Sequence, residues 1–173
     1  METVSMADYD PTWPKLFESL RERIAAALGP LALTIEHVGS TSVPNMCAKP
    51  IIDLDVLVRA NDVPAAIAAV EALGYQHRGN LGIDGREALR WAAEFPEHHL
   101  YLCPEGSAEF KRHVLFRNYL RTHPEVAREY AELKRRLAEQ YRDNRSEYQK
   151  AKSGFIDSLI ERAEREGLSA GVH

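Results

Sequence analysis

Cysteine is scarce in this chain: two residues in 173, Cys47 and Cys103. A small secreted scaffold stapled by disulfides needs more of them at regular spacing, so both read as free thiols in a reducing compartment. Long hydrophobic runs are also missing. Nothing approaches the roughly 20 apolar residues of a bilayer-spanning helix, and the first residues lack the basic segment and apolar run of a secretory signal. These absences predict a cytoplasmic protein with no membrane partner. Charge of one sign is lacking too, since 22 Lys and Arg face 26 Asp and Glu for a formal net charge of -4. That balance argues against a long nucleic-acid footprint, yet it leaves room for a local positive pocket. There is no repeat, low-complexity linker or shift in composition, which predicts one domain over residues 1–166 and a frayed tail over 167–173. No glycine-rich dinucleotide fingerprint joins a strand to a helix, and no Walker loop ends in Lys-Ser or Lys-Thr.

What is present is periodic. Trp13, Leu16, Phe17, Leu20, Ile24 and Leu28 recur at helical spacing until Gly29-Pro30, predicting an amphipathic first helix with Trp13 as a core anchor. Leu31 to Val38 and Ile51 to Val58 read as strands, the second as a central one. Between them lies a turn-rich loop from Ser40 to Pro50. An Ala-rich helix over Ala65 to Leu73 follows Pro64 and ends at Gly74. Tyr75 to Arg78 reads as a short strand, and Gly79, Gly82 and Gly85 mark a hairpin or a substrate-facing loop. Trp91 falls between strands near Arg86 and Arg90, where a mobile specificity loop fits. His98 to Cys103 reads as a further strand. From Ser107 onward three apolar stripes predict helices, one starting at Pro124, with Lys134 as a solvated helix charge. The order implies a small mixed sheet packed against helices, an α+β (mixed α/β) domain with a helical C-terminal half.

The stretch that carries chemistry is Gly39-Ser40-Thr41-Ser42 followed by Lys49 and Ile51-Ile52-Asp53-Leu54-Asp55-Val56. Side chains alternate along a strand, so Asp53 and Asp55 share one face about 7 Å apart while Ile52, Leu54 and Val56 take the other. Paired carboxylates at the rim of a core repel and need a compensating cation. Mg2+, or Mn2+ in its place, suits hard oxygen ligands and leaves positions for phosphate. The glycine turn before it offers backbone N–H groups and the Ser40 and Thr41 hydroxyls to phosphate oxygens, and Lys49 adds a point charge.

These residues also carry a resemblance. Val38-Gly39-Ser40-Thr41-Ser42-Val43-Pro44 and Ala48-Lys49-Pro50-Ile51-Ile52-Asp53-Leu54-Asp55 resemble the signature of the GrpB family of bacterial proteins, as do Tyr9 to Pro14, His98 to Leu102, Phe116 to Arg121, and Tyr148, Lys152 and Phe155. The resemblance covers nearly the whole chain. It implies the nucleotidyltransferase superfamily with a polymerase-beta-like fold: a Gly-Ser turn at Gly39 and Ser40, metal-binding Asp53 and Asp55, and a third acid on a nearby strand. The implied reaction moves a nucleoside monophosphate from a nucleoside triphosphate to an acceptor hydroxyl or phosphate. Here the sequence departs, because the strand expected to hold the third acid reads His98-His99-Leu100-Tyr101-Leu102. Glu94 or Glu97 can reach in from the strand's start, or a histidine can substitute as ligand or base. His99 shares a face with the polar Tyr101, which favours it over His98.

Lys111, Arg112, His113, Arg117 and Arg121 crowd one helical segment, with Arg117 and Arg121 four residues apart and able to grip phosphate. Tyr148 and Lys152, also four apart, are expected to close the pocket over a base or sugar. Two functions follow. One is an Mg-dependent nucleotidyltransferase acting on a small molecule or an RNA end. The other is an inactive module of the same fold that binds a nucleotide or phosphorylated metabolite.

Overall fold

The structure, a computed structural model, describes residues 3–170. Its first helix, α1 (Trp13–Leu28), buries Trp13, Leu20, Ile24 and Leu28, the stripe expected from their spacing. Gly29 then turns the chain with φ of 51°. Strands β1 (Thr34–Val38) and β2 (Ile52–Val58) follow, separated by the loop that contains a 3-10 turn at Ser40–Ser42. Helix α2 (Val63–Glu71) precedes β3 (Gln76–His77), β4 (Glu87–Arg90) and β5 (His98–Pro104). The glycine-rich stretch is the connection of a short antiparallel hairpin, β3 to β4, and β4 is a strand that the sequence left inside a turn-rich region. The C-terminal half is α3 (Ala108–Thr122), α4 (Pro124–Gln140) and α5 (Arg145–Arg165). Ser107 caps α3 by accepting from the Phe110 N–H, and Asn144 caps α5 by accepting from that of Glu147.

The five strands form one mixed sheet in the order β1-β2-β5-β4-β3. β2 runs antiparallel to β1 and parallel to β5, the latter reached by a crossover through α2 and the β3–β4 hairpin. The expected mixed α+β class is the one observed. Alternation divides the sheet. Ile52, Leu54, Val56 and Val58 join Leu100 and Leu102 against Leu20, Ile24 and Leu28 of α1 and Ala66 and Val70 of α2. On the opposite face Val38 and Cys103 meet Phe110 and Val114 of α3. A separate apolar cluster joins Leu115 and Tyr119 of α3, Val126 and Tyr130 of α4 and Leu159 of α5 with Val43, Met46 and Cys47 of the loop. The helical half thereby anchors the loop that leads into β2.

Of the expected frayed tail, Leu168 and Ala170 pack against that cluster, and residues 171–173 lie outside the described residues. Both cysteines are free and buried. No helix among the described residues is long and apolar enough to cross a membrane.

Candidate functional site

Residue register places the acids. Asp53 lies opposite Val38 and beside His99, and Asp55 lies opposite Glu36 and beside Tyr101. All six therefore share the face turned to the helical half. Each aspartate is met by a histidine from a different element. His99 Nδ1 is 2.7 Å from Asp53 Oδ1, and His113 Nδ1, from α3, is 2.7 Å from Asp55 Oδ2. With a carboxylate as acceptor, Nδ1 of each ring is the donor.

The two pairs differ in solvation. The Asp53 side chain is 30% exposed and reaches the cleft, whereas that of Asp55 is fully enclosed. Burial pushes the Asp55 carboxyl above its ordinary range, with the His113 hydrogen bond opposing. Burial acts to lower His113 as well, but the hydrogen bond and charge of Asp55, helped by Glu109, outweigh it and raise the imidazole. His99 is raised chiefly by its bond to Asp53. Asp55 Oδ1 is buried and has no hydrogen-bond partner among the described residues.

Gly39 is required by geometry. It sits at φ of 73°, and a Cβ there would collide with Oδ2 of Asp53. The turn thus lies directly on the carboxylate. Ser42 Oγ donates to the Gly39 carbonyl at 2.5 Å, which holds the turn closed.

Around Asp53 open two connected lobes that share Ser40, Asp53, Arg86, Tyr101, Gln149 and Lys152. The first, about 310 Å³, is bounded by Gly39, Arg112 and His113 and by the apolar Phe116, Ile156 and Ile160. The second, about 450 Å³, is bounded by Lys49, His99, Lys134, Arg145 and Tyr148. Lys152 spans both, its ammonium 4.6 Å from the centre of the Tyr148 ring, and burial lowers its pKa to about 8. The cleft is consequently cationic in a protein that is acidic as a whole.

Not every expected residue arrives there. Gly39, Ser40, Lys49, Asp53, His99, Tyr148 and Lys152 line the two lobes, whereas Asp55 is fully enclosed and lines neither. Thr41 is buried on the other side, its hydroxyl 2.9 Å from His37 Nε2. Arg117 is enclosed and spent on Glu36, with Nη1 2.6 Å from Oε2 and 3.0 Å from the His37 carbonyl. Arg121 donates from Nε to the Ser42 carbonyl and borders separate grooves. His98 lies on the opposite face of β5, between the Pro96 carbonyl and the Tyr75 hydroxyl. Trp91 packs against the α1–α2 core.

Lys134 corrects the sequence reading outright. It is 2% exposed, donates to the Cys47 carbonyl and lines the second lobe, because it falls on the same side of α4 as Tyr130, Leu137 and Ala138. His113 and Arg86 were not singled out for the site. His113 stands four residues before Arg117, so helical spacing alone puts both on one side of α3. Arg86 lies in β4's approach, which carried no periodic signal.

The residues fit a divalent cation that is completed by ligand. Asp55 Oδ1 is an orphaned acceptor and Asp53 reaches the cleft, while no cluster of three His, Cys, Asp or Glu is assembled among the described residues. Mg2+ commonly binds through one or two carboxylates plus substrate phosphates, and two acids beside a glycine turn offer such a set.

The model of the "GrpB protein" family matches residues 3–162. The UPF0157 protein YqkA of Bacillus subtilis is 39% identical over 158 residues, covering 91% of this chain but 46% of that protein, so the chain spans about half the relative's length. The UPF0157 protein BH1888 of Halalkalibacterium halodurans is 36% identical over 162 residues, 93% of this chain and 83% of that protein. The crystal structure of conserved protein GrpB from Enterococcus faecalis superposes with a TM-score of 0.84 at 35% identity, over 94% of this chain and 98% of that one. The chain belongs to the GrpB family.

Proposed function

We propose that the cleft binds a nucleoside triphosphate and transfers its nucleoside monophosphate to an acceptor. The observation that carries this reading is the convergence of the Gly39-Ser40 turn, Asp53 and the cations Arg86, Arg112 and Lys152 on one lobe. The turn presents its polar groups to phosphate, the cations offset its charge, and Phe116, Ile156 and Ile160 supply an apolar wall for the base. Asp53 and Asp55 would hold Mg2+ or Mn2+, which when bound neutralises phosphate charge and polarises the reacting phosphorus. His99 donates through Nδ1 to Asp53, which leaves Nε2 as the basic nitrogen. In the reaction the acceptor oxygen bonds to the α-phosphorus and the bond to the bridging oxygen breaks. Pyrophosphate leaves, and the acceptor proton passes to His99 Nε2.

The test is a thermal-shift screen of the four nucleoside triphosphates with Mg2+ and Mn2+, followed by pyrophosphate release with an acceptor library. A ligand bound only by the folded state raises its apparent stability. We expect a shift that is lost in the Asp53→Asn, Asp55→Asn protein; a shift unchanged in that variant would refute the site. One observation favours the second reading, a binding module without transfer: β5 presents His99 and Tyr101, not an acid, beside the aspartates. Asp53-dependent triphosphate binding with no pyrophosphate release from any acceptor would select it.

A further inference from the structure

The second lobe contains a charge that the protein does not balance. Lys134 is carried inward on the buried side of α4, where its ammonium donates to the Cys47 carbonyl and lies 4.8 Å from the centre of the Tyr130 ring. Among the described residues no carboxylate lies within ion-pair distance of it or of Lys152 on α5, although the charge of Asp53 acts on Lys152. The contrast with the surface is informative. Lys111 and Lys150 are 57% and 71% exposed, and each has a glutamate at 3.0 or 2.9 Å. These two exposed lysines are paired, while Lys134, the one buried lysine among the described residues, has no acid partner. An enclosed ammonium without a counter-ion is costly, and here burial holds Lys134 down to about 8. One of its three N–H groups is committed to a carbonyl, and the lobe it lines also receives Lys49 and Lys152.

We propose that Lys134, with Lys49 and Lys152, forms an anion site for a phosphate group carried by the acceptor, which is a small phosphorylated molecule bearing the attacking hydroxyl. Its assignment to the acceptor rests on the transfer reading above; the anion site itself does not. The lobe is placed for this role, since it contains His99 and meets the triphosphate lobe at Asp53. Its volume of about 450 Å³ suits a small molecule, and the net charge of -4 gives no track for a polynucleotide to follow away from it.

The experiment titrates the whole chain with inorganic phosphate and pyrophosphate, without nucleotide, by calorimetry and thermal shift. In Lys134→Met, which keeps the stem and removes the charge, we expect phosphate affinity to fall at least tenfold while the apparent Tm without phosphate is equal or higher. Lys152→Met should also weaken phosphate binding, and it provides the reading if Lys134→Met does not fold. Lys111→Met should leave it unchanged. Unaltered phosphate affinity in Lys134→Met, or in Lys152→Met should the first variant not fold, overturns the site. A lowered Tm with unaltered affinity identifies Lys134 as a tie to the loop and overturns it equally. Phosphate binding that depends on Lys134 without any response to Mg-triphosphate removes the transfer reading and leaves the anion site standing. A triphosphate response with no phosphate binding removes the anion site alone.

Discussion

The two faces of β2 are built from alternate residues of one seven-residue strand, and they do opposite work. Ile52, Leu54, Val56 and Val58 are 0% exposed and packed against α1 and α2. Asp53 and Asp55 point the other way, where each requires a histidine from elsewhere. Burial on the first face lowers the free energy of the fold without further conditions. Burial on the second raises the energy of charged groups, which persist because the surrounding elements supply hydrogen bonds and, on the reading above, because a ligand supplies counter-charge. Stabilising apolar burial and the burial of charge are thus separated by about the thickness of one strand.

The largest expected effect breaks the apolar face. Leu54→Ala should cost about 2–5 kcal/mol, measured by urea unfolding, while any triphosphate affinity of the remaining folded protein stays near that of the parent. Loss of that affinity at equal occupancy of the folded state would show that the faces are not independent.

Acid sharpens the same contrast through His37, which points to the apolar side and stacks on Phe17 at 4.7 Å. Burial lowers its pKa from 6.5 to about 4, with the charge of Asp53 opposing. The unfolded chain therefore binds this proton first. The contribution is complete above about pH 6.5 and is lost as the pH falls toward 4, on the order of 2–3 kcal/mol. His37→Gln should flatten that part of the stability profile; an unchanged slope between pH 7 and 4 would exclude His37 as its source.

Gly39→Ala tests the other face. The added Cβ meets Asp53 Oδ2 at a left-handed backbone angle, so a stability loss of about 1–2 kcal/mol is expected, together with loss of the triphosphate thermal shift. A variant that keeps the shift would detach the turn from the ligand. The smallest effect lies in the connection between β3 and β4. Leu81 is 60% exposed at φ of 52°, and Leu81→Asn should gain up to about 1 kcal/mol by relieving that strain, read as a small rise in Tm.

The fold was legible wherever one period dominated. The stripe from Trp13 to Leu28 and the alternation from Ile52 to Val58 both became the elements they predict. β4 was hidden because Glu87 to Arg90 is four residues long and follows glycines at positions 79, 82 and 85, too short a window for alternation to declare itself. The acid pair and glycine turn could be read because their spacing is local. Arg117 and Lys134 could not, because charge on a helix is ambiguous until its partners are known. Arg117 is enclosed against Glu36 from 81 residues away, and Lys134 against a carbonyl 87 residues away.

The sequence by itself determined that Asp53 and Asp55 share a face, that a glycine turn precedes them, and that apolar residues line the reverse side. Those facts follow from strand periodicity and from the backbone freedom of glycine. Only the tertiary structure decided which histidine meets which aspartate, that Thr41, Arg117 and Arg121 are held outside the cleft, and that Lys134 is drawn into it. The reason is range: periodicity acts over a few residues, whereas the solvation and pairing of a charge depend on elements brought together from across the chain.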